Sequence, residues 1–296
     1  MIPITRVLCP VDFSDTSQHA VDHAAAIADW YQARLTLLHV FVTLPTSEAP
    51  PLILDDATRE CLETSLRRMA AGVPPGLSLD IRLEQAEHVH RGVLDHLAAS
   101  HADLLVLGTH GRSGFERFFL GSVTEKVIRK ATCPTLVVPP RSPDIPRRAP
   151  VLFKRILCAV DFSDSSLSAL AYALNLAEET DATLTLLHVI EMPPELGENA
   201  LAADFDIGLL HAAADADARR RLHGLVPDQA RAYCTVETAV VEGRPYRRLL
   251  QRAAEDRADL IVMGVLGRGA IDLLFFGSTT HHVIRAAPCP VLVVRG

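Results

Sequence analysis

Residues 103–122, DLLVLGTHGRSGFERFFLGS, return as residues 259–278, DLIVMGVLGRGAIDLLFFGS. Each copy starts with an apolar run of strand length. Each then carries one frame, Gly108-x2-Gly111-x9-Gly121-Ser122 and Gly264-x2-Gly267-x9-Gly277-Ser278, and enters a segment with helical spacing. Glycines at a strand end let the backbone come close to a ligand. Free amides and a hydroxyl at a helix start attract phosphate. The same glycines also suit tight strand–helix turns with no ligand, and a short glycine pattern alone does not separate the two readings. Their retention in both halves, among changed neighbours, favours a pair of phosphate sites and hence a double nucleotide-binding protein.

The repetition extends well beyond the frame. Residues 7–17, VLCPVDFSDTS, match 156–166, ILCAVDFSDSS; LTLLHV at 35–40 recurs at 184–189; TCPTLVV at 132–138 matches PCPVLVV at 288–294. The offset is 149 early and 156 late, so the second copy gains seven residues in its middle. A period of this size means duplication of a whole folding unit, far above the solenoid range. The stretch 139–151, PPRSPDIPRRAPV, is rich in proline and arginine and reads as a linker. The expected domains are 1–145 and 152–296, with the boundary near 145–152.

Each half alternates strand and helix. Strands are expected at 5–11, 34–41, 77–84, 103–107 and 134–138, and again at 154–160, 183–190, 231–241, 259–263 and 290–294. Helices are expected at 16–32, 56–71, 88–100 and 122–131, then at 165–180, 205–223, 245–256 and 278–287. That rhythm specifies an α/β fold with parallel sheets covered on both faces.

The chain has 296 residues, 49% of them apolar, enough for two cores. Its net charge of -7, from 29 basic and 36 acidic residues, argues against nucleic acid or an anionic membrane as partner. No apolar run reaches the roughly 18 residues of a membrane span, and the start MIPITRVLCPVDFSD lacks a signal-peptide pattern. A cytoplasmic location is expected. The six cysteines form no CxxC pair, and four occupy matching places in or beside expected strands, which suits buried apolar thiols in a reducing compartment.

Asp12 and Asp161 follow the first strand of each half, at the sheet edge where open parallel sheets bind ligands. There a carboxylate can accept from a base or ribose, or help hold a cation. Ser14 or Asp15, and Ser163 or Asp164, read as helix caps. His39 and His188 end the second strand, either as satisfied edge residues or as ligand contacts. Arg112 and Arg268 sit inside the glycine loops and can neutralise phosphate or remain solvated. His110 is matched by Leu266, so no function shared by both halves needs it. No lysine follows the frame as in a Walker A loop, and no G-x-S-x-G or H-E-x-x-H motif occurs. His88/His90 and His281/His282 lack partners for a metal site. The acidic start and Arg219–Arg221 end of the helix at 205–223 suit its own dipole. No catalytic residue and no protein-held metal is assigned.

With VDFSD, LTLLHV, DLLVLG/DLIVMG, the glycine frames and the closing TCPTLVV/PCPVLVV in view, the chain resembles the universal stress protein family over essentially all its length. The resemblance implies two tandem modules, each a five-stranded parallel sheet in the order 3-2-1-4-5 flanked by helices, of the adenine nucleotide alpha hydrolase-like kind. It implies ATP, with Mg2+, as ligand. Carried over, the base and ribose of the first half meet Pro10, Asp12 and Val40. Leu107, Gly108 and Gly111 line its loop, while Gly121, Ser122 and Val123 meet the phosphates. The second half uses Ala159, Asp161, Val189, Met263, Gly264, Gly267, Gly277, Ser278 and Thr279. Glu87 against Gly243, with His88-Val89 against Arg244-Pro245 after them, are local departures. The resemblance also implies pairing of the two modules through their final strands, a homodimer, and an unnamed regulatory protein partner. A nucleotide-dependent stress-response switch is the leading function. A slow magnesium-dependent ATPase or phosphotransferase, and a structural module without nucleotide, are the alternatives.

Overall fold

A computed structural model describes residues 2–42, 55–109, 120–141, 153–191, 207–265 and 277–295. The chain divides into two units, Met1–Val151 and Leu152–Gly296.

The first unit runs β1 (Arg6–Pro10), α1 (Asp15–Trp30), β2 (Arg34–Val42), α2 (Asp56–Met69), β3 (Leu79–Ala86), α3 (Val89–Ser100), β4 (Leu104–Gly108), α4 (Ser122–Lys130) and β5 (Thr135–Val138). Its strands are parallel in the order β3-β2-β1-β4-β5. The second unit repeats this with β6 (Arg155–Ala159), α5 (Asp164–Thr180), β7 (Thr183–Ile190), α6 (Ile207–Gly224), the short α7 (Asp228–Tyr233), β8 (Thr235–Glu242), α8 (Pro245–Glu255), β9 (Leu260–Gly264), α9 (Ser278–Ala286) and β10 (Val291–Val294). Its order is β8-β7-β6-β9-β10, so both units have the 3-2-1-4-5 arrangement. The order reverses at the first strand, and the crevice beside that strand's carboxyl end is where such sheets take ligands.

Burial explains the strand pattern. Leu104–Leu107 and Leu260–Met263 are buried throughout, as strands covered on both faces must be, whereas β3 and β8 are half-exposed edges. The aspartate before each central strand fixes its neighbour. Asp103 accepts from the amides of Thr5 and Arg6 at 2.8 and 2.9 Å, and Asp259 accepts from those of Lys154 and Arg155 at 3.0 Å. Cys9, Cys158, Cys234 and Cys289 are buried and all six thiols are free. Burial pushes the Cys158 thiol up to about 12, so it packs as an apolar group and is no nucleophile.

Two strands depart from expectation. The strand expected at 77–84 lies at 79–86, because its register is set by β2, pairing Leu35 with Leu79 and Val42 with Ala86. The strand expected from 231 begins at Thr235, because 228–233 form one helical turn and a half behind Pro227. Unit two also needs a glycine where unit one does not. Gly243 has φ +134, a conformation side chains rarely adopt, and the neighbouring Arg248 donates from Nε to the Glu242 carbonyl at 2.7 Å.

Candidate functional site

The site is built at the carboxyl end of the first strand. In both units the chain leaves that strand through an aspartate, a phenylalanine and a serine. Asp12 accepts from the amide and hydroxyl of Ser14 at 3.1 and 2.6 Å, and Asp161 accepts from those of Ser163 at 3.0 and 2.5 Å. The serine oxygen in turn caps the next helix, accepting from the amide of Ser17 or Ser166. Cap and carboxylate are thus one unit: the serine holds the aspartate rotamer, and the aspartate aims the serine.

Between them Phe13 and Phe162 take φ values of +66 and +62. A left-handed phenylalanine costs about 1–2 kcal/mol relative to its relaxed backbone. The conformation is supported by ring contacts in both copies. Phe13 packs on His39 with centroids 4.5 Å apart, and Phe162 on His188 at 4.7 Å. Each histidine is fixed by Nδ1, which donates to the carbonyl of Val11 or Val160 at 2.8 and 2.7 Å. A ring nitrogen facing a carbonyl must carry the proton. His39 and His188, near the ends of β2 and β7, are therefore braces for the turn that presents the aspartate.

The first glycine of each frame has a packing cause. A Cβ on Gly264 would stand 2.6 Å from Ser165 Oγ and 2.8 Å from its backbone carbon; one on Gly108 would stand 3.0 Å from Thr16 Cγ2. The start of α5 or α1 lies directly against that strand end, which brings the aspartate turn and the glycine strand to one crevice. At the far end of the frame, the Gly121 amide donates to the Thr109 carbonyl at 2.8 Å and the Gly277 amide to that of Val265 at 3.2 Å. These two amides are used within the fold. The Thr124 and Thr280 hydroxyls tie the helix starts back to the Gly108 and Gly264 carbonyls at 2.9 and 3.1 Å. Neither helix has a side-chain cap. The first-turn amides of Ser122 and Val123, and of Ser278 and Thr279, have no acceptor within their own helix, as at any helix start.

In the second unit Ala159, Asp161, Val189, Met263, Gly264, Gly277, Ser278 and Thr279 line one cavity of about 870 Å³. That volume suits a small organic ligand. The first unit sets Pro10, Asp12, Val40, Leu107, Gly108, Gly121, Ser122 and Val123 at the corresponding strand ends and helix start. There α3 lies close on Val40: a Cβ on Gly92 would stand 2.7 Å from Val40 Cγ1. Gly111, Arg112, Gly267 and Arg268 lie outside the described residues, as do His110 and Leu266. Among the described residues, no group of three or more His, Cys, Asp or Glu is placed to hold a metal ion.

The sequence profile of the universal stress protein family matches residues 3–139 and again 152–295. The chain belongs to the universal stress protein family. A universal stress protein of Mycobacterium tuberculosis is 28% identical over 304 residues, covering 98% of this chain and 96% of that one. A shorter one from Thermus aquaticus is 37% identical over 150 residues, 49% of this chain and 100% of its own length. The crystal structure of a universal stress protein from Archaeoglobus fulgidus superposes with a TM-score of 0.69 at 23% identity, covering 98% of each chain, which bears on the fold alone. The tandem universal stress architecture therefore accounts for the duplication.

Sequence reasoning did not find the phenylalanine turn or the contribution of α6. Ala214, Asp217, Ala218 and Arg221 line the cavity from that helix, and Pro245 and Leu249 from α8. The Phe repeated in VDFSD marks the position in both halves but not its left-handed backbone. The helix residues follow an i, i+3, i+4, i+7 stripe on a segment whose charges read equally well as a solvated face.

Proposed function

We propose that each unit binds an adenine nucleotide, ATP with Mg2+, and that occupancy of the paired sites works as a regulatory switch. The observation that supports this reading most directly is the second-unit cavity. It joins an aspartate held by Ser163, an apolar wall of Val189 and Met263, and the amides and hydroxyls of Ser278 and Thr279. The aspartate suits ribose or base donors, the apolar wall suits a base, and the helix start suits phosphate. Because the described residues offer no metal cluster, Mg2+ enters this reading through the phosphates, with one carboxylate at most from the protein. Asp161 accepts two bonds from Ser163, which favours a positioning role over that of a general base. The switch therefore turns on occupancy, with loops beside the cavity responding to it.

No helix among the described residues is long and apolar enough to cross a membrane. We further propose a cytoplasmic protein whose modules pair through their final strands, which forms a homodimer, and whose nucleotide state is read by a protein partner. Equilibrium dialysis with ATP and Mg2+, with phosphate release followed over the same hours, tests the function. Saturable binding without matching release is expected. Release at many turnovers per site would favour the ATPase reading, and absence of saturable binding would overturn the proposal.

A further inference from the structure

Arg221 stands out in the second cavity. It lies on the stripe of α6 that faces the site, and its Cζ sits 3.8 Å from the centroid of the Phe162 ring. The other arginines of this helix turn end are paired: Arg219 with Asp215 at 2.6 Å and Arg220 with Asp217 at 2.6 Å. Among the described residues Arg221 makes no ion pair or hydrogen bond, only the ring contact. One face of its guanidinium rests on an aromatic ring, and its planar set of N–H donors is unspent. The ring beneath it is itself fixed by His188, whose Nδ1 is bonded to Val160, so the guanidinium stands on a rigid support.

Its location decides what it meets. In the order β8-β7-β6-β9-β10, α6 packs on β7 and β8, while α9 follows β9. Phe162 with Arg221, and the start of α9, therefore flank Asp161 on opposite sides. With phosphates at Ser278 and Thr279, as proposed above, the Phe162 side of the same cavity is left for the base. The first unit differs at this point. Leu66 and Leu222 are both fully buried on the helices that precede β3 and β8, and matching these two leucines aligns Arg221 with Ser65. Ser65 spends its hydroxyl on the Cys61 carbonyl at 2.9 Å. The two sites of this chain are therefore chemically unequal.

We propose that Arg221 is a ligand-contacting residue of the second site, its planar guanidinium packing on and donating to the aromatic base of the bound nucleotide. This rests on the nucleotide-binding reading of the site. The second site is consequently the tighter of the two and the more selective for a ligand carrying a base.

Calorimetric titration of the full chain with ATP and Mg2+ tests it, comparing parent, Arg221→Ala and Arg221→Lys. In Arg221→Ala the tighter of two sites weakens about five- to tenfold and the other is unchanged. Arg221→Lys, which keeps the charge and loses the plane, recovers less than half of that loss. With ribose 5'-triphosphate, which has no base, parent and Arg221→Ala bind alike. Arg221 is exposed, so thermal unfolding of the variants matches the parent. Unchanged affinity in Arg221→Ala, full recovery by Lys, or an equal loss with the base-free ligand overturns this inference and leaves the nucleotide reading standing. A parent chain that binds no nucleotide overturns both.

Discussion

Gly264 and Ser165 meet so closely that a single methyl on the glycine would lie 2.6 Å from the serine hydroxyl oxygen and 2.8 Å from its backbone carbon. The glycine that opens the frame is there because a helix start occupies the space a side chain would need. Gly264→Ala is expected to destabilise the second unit by about 1–3 kcal/mol, as overpacking does. Gly108→Ala is expected to cost less, since its nearest neighbour is a methyl group at 3.0 Å that can give way. Denaturant unfolding of the two variants checks the order; an equal or reversed cost would contradict the packing account.

At the other end of the frame the demand is different. Gly277 has φ -54 and ψ 135, which any capping residue adopts, and it provides no side-chain cap. Gly277→Asp adds a carboxylate where helices favour one, so the folded state gains up to about 1 kcal/mol or is unaffected. The same carboxylate faces the position assigned to phosphate. Nucleotide binding at the second site should drop by at least tenfold while the unfolding midpoint holds or rises. Loss of binding together with loss of stability would point to a structural glycine instead.

The serine that joins aspartate to helix carries two jobs. Ser163→Ala removes a cap and releases Asp161, costing about 1 kcal/mol in stability. Nucleotide affinity should fall as well, although Ser163 is one residue removed from the carboxylate's own chemistry. Ser163→Thr keeps the hydroxyl and should retain most of both. Urea unfolding and nucleotide titration on the same samples separate the two effects.

The first unit carries a pH response of its own. Burial, assisted by the neighbouring His19, lowers His23 from its usual range to about 4. The folded state thus holds this ring neutral while the unfolded chain protonates it near pH 6.5. Between those values the unfolded state binds the extra proton, so stability falls as pH drops below about 6.5 and levels off below about 4. The full loss is about 3 kcal/mol. His23→Phe should flatten this part of the stability profile, measured by denaturant unfolding from pH 7 to pH 4; an unchanged slope would contradict it.

The parts of this fold that were legible in the sequence are those set by hydrophobic runs. Leu104–Leu107 and Leu260–Met263 are buried throughout, and an unbroken apolar run of that length between Asp and Gly suits a central strand. The serine caps were legible because capping is local chemistry. Phe13 and Phe162 were not, since a left-handed phenylalanine contradicts its own propensity and is held there by a histidine 26 residues away in the chain. Arg221 was hidden for a related reason. Its neighbours Arg219 and Arg220 are paired surface residues, and only the tertiary placement of Phe162 beneath one of three consecutive arginines sets it apart. Residues 231–233, expected as the start of a strand, instead close the helical turn at 228–233, which begins behind Pro227 and whose Ala and Arg residues favour helix.

Native mass spectrometry of the gently purified chain, with and without ATP and Mg2+, bears most directly on the claim that each unit seats a nucleotide. The account predicts mass increments of two nucleotides per chain at saturation, one of them lost in Gly277→Asp. A chain mass that does not change at saturating ATP and Mg2+ would contradict it.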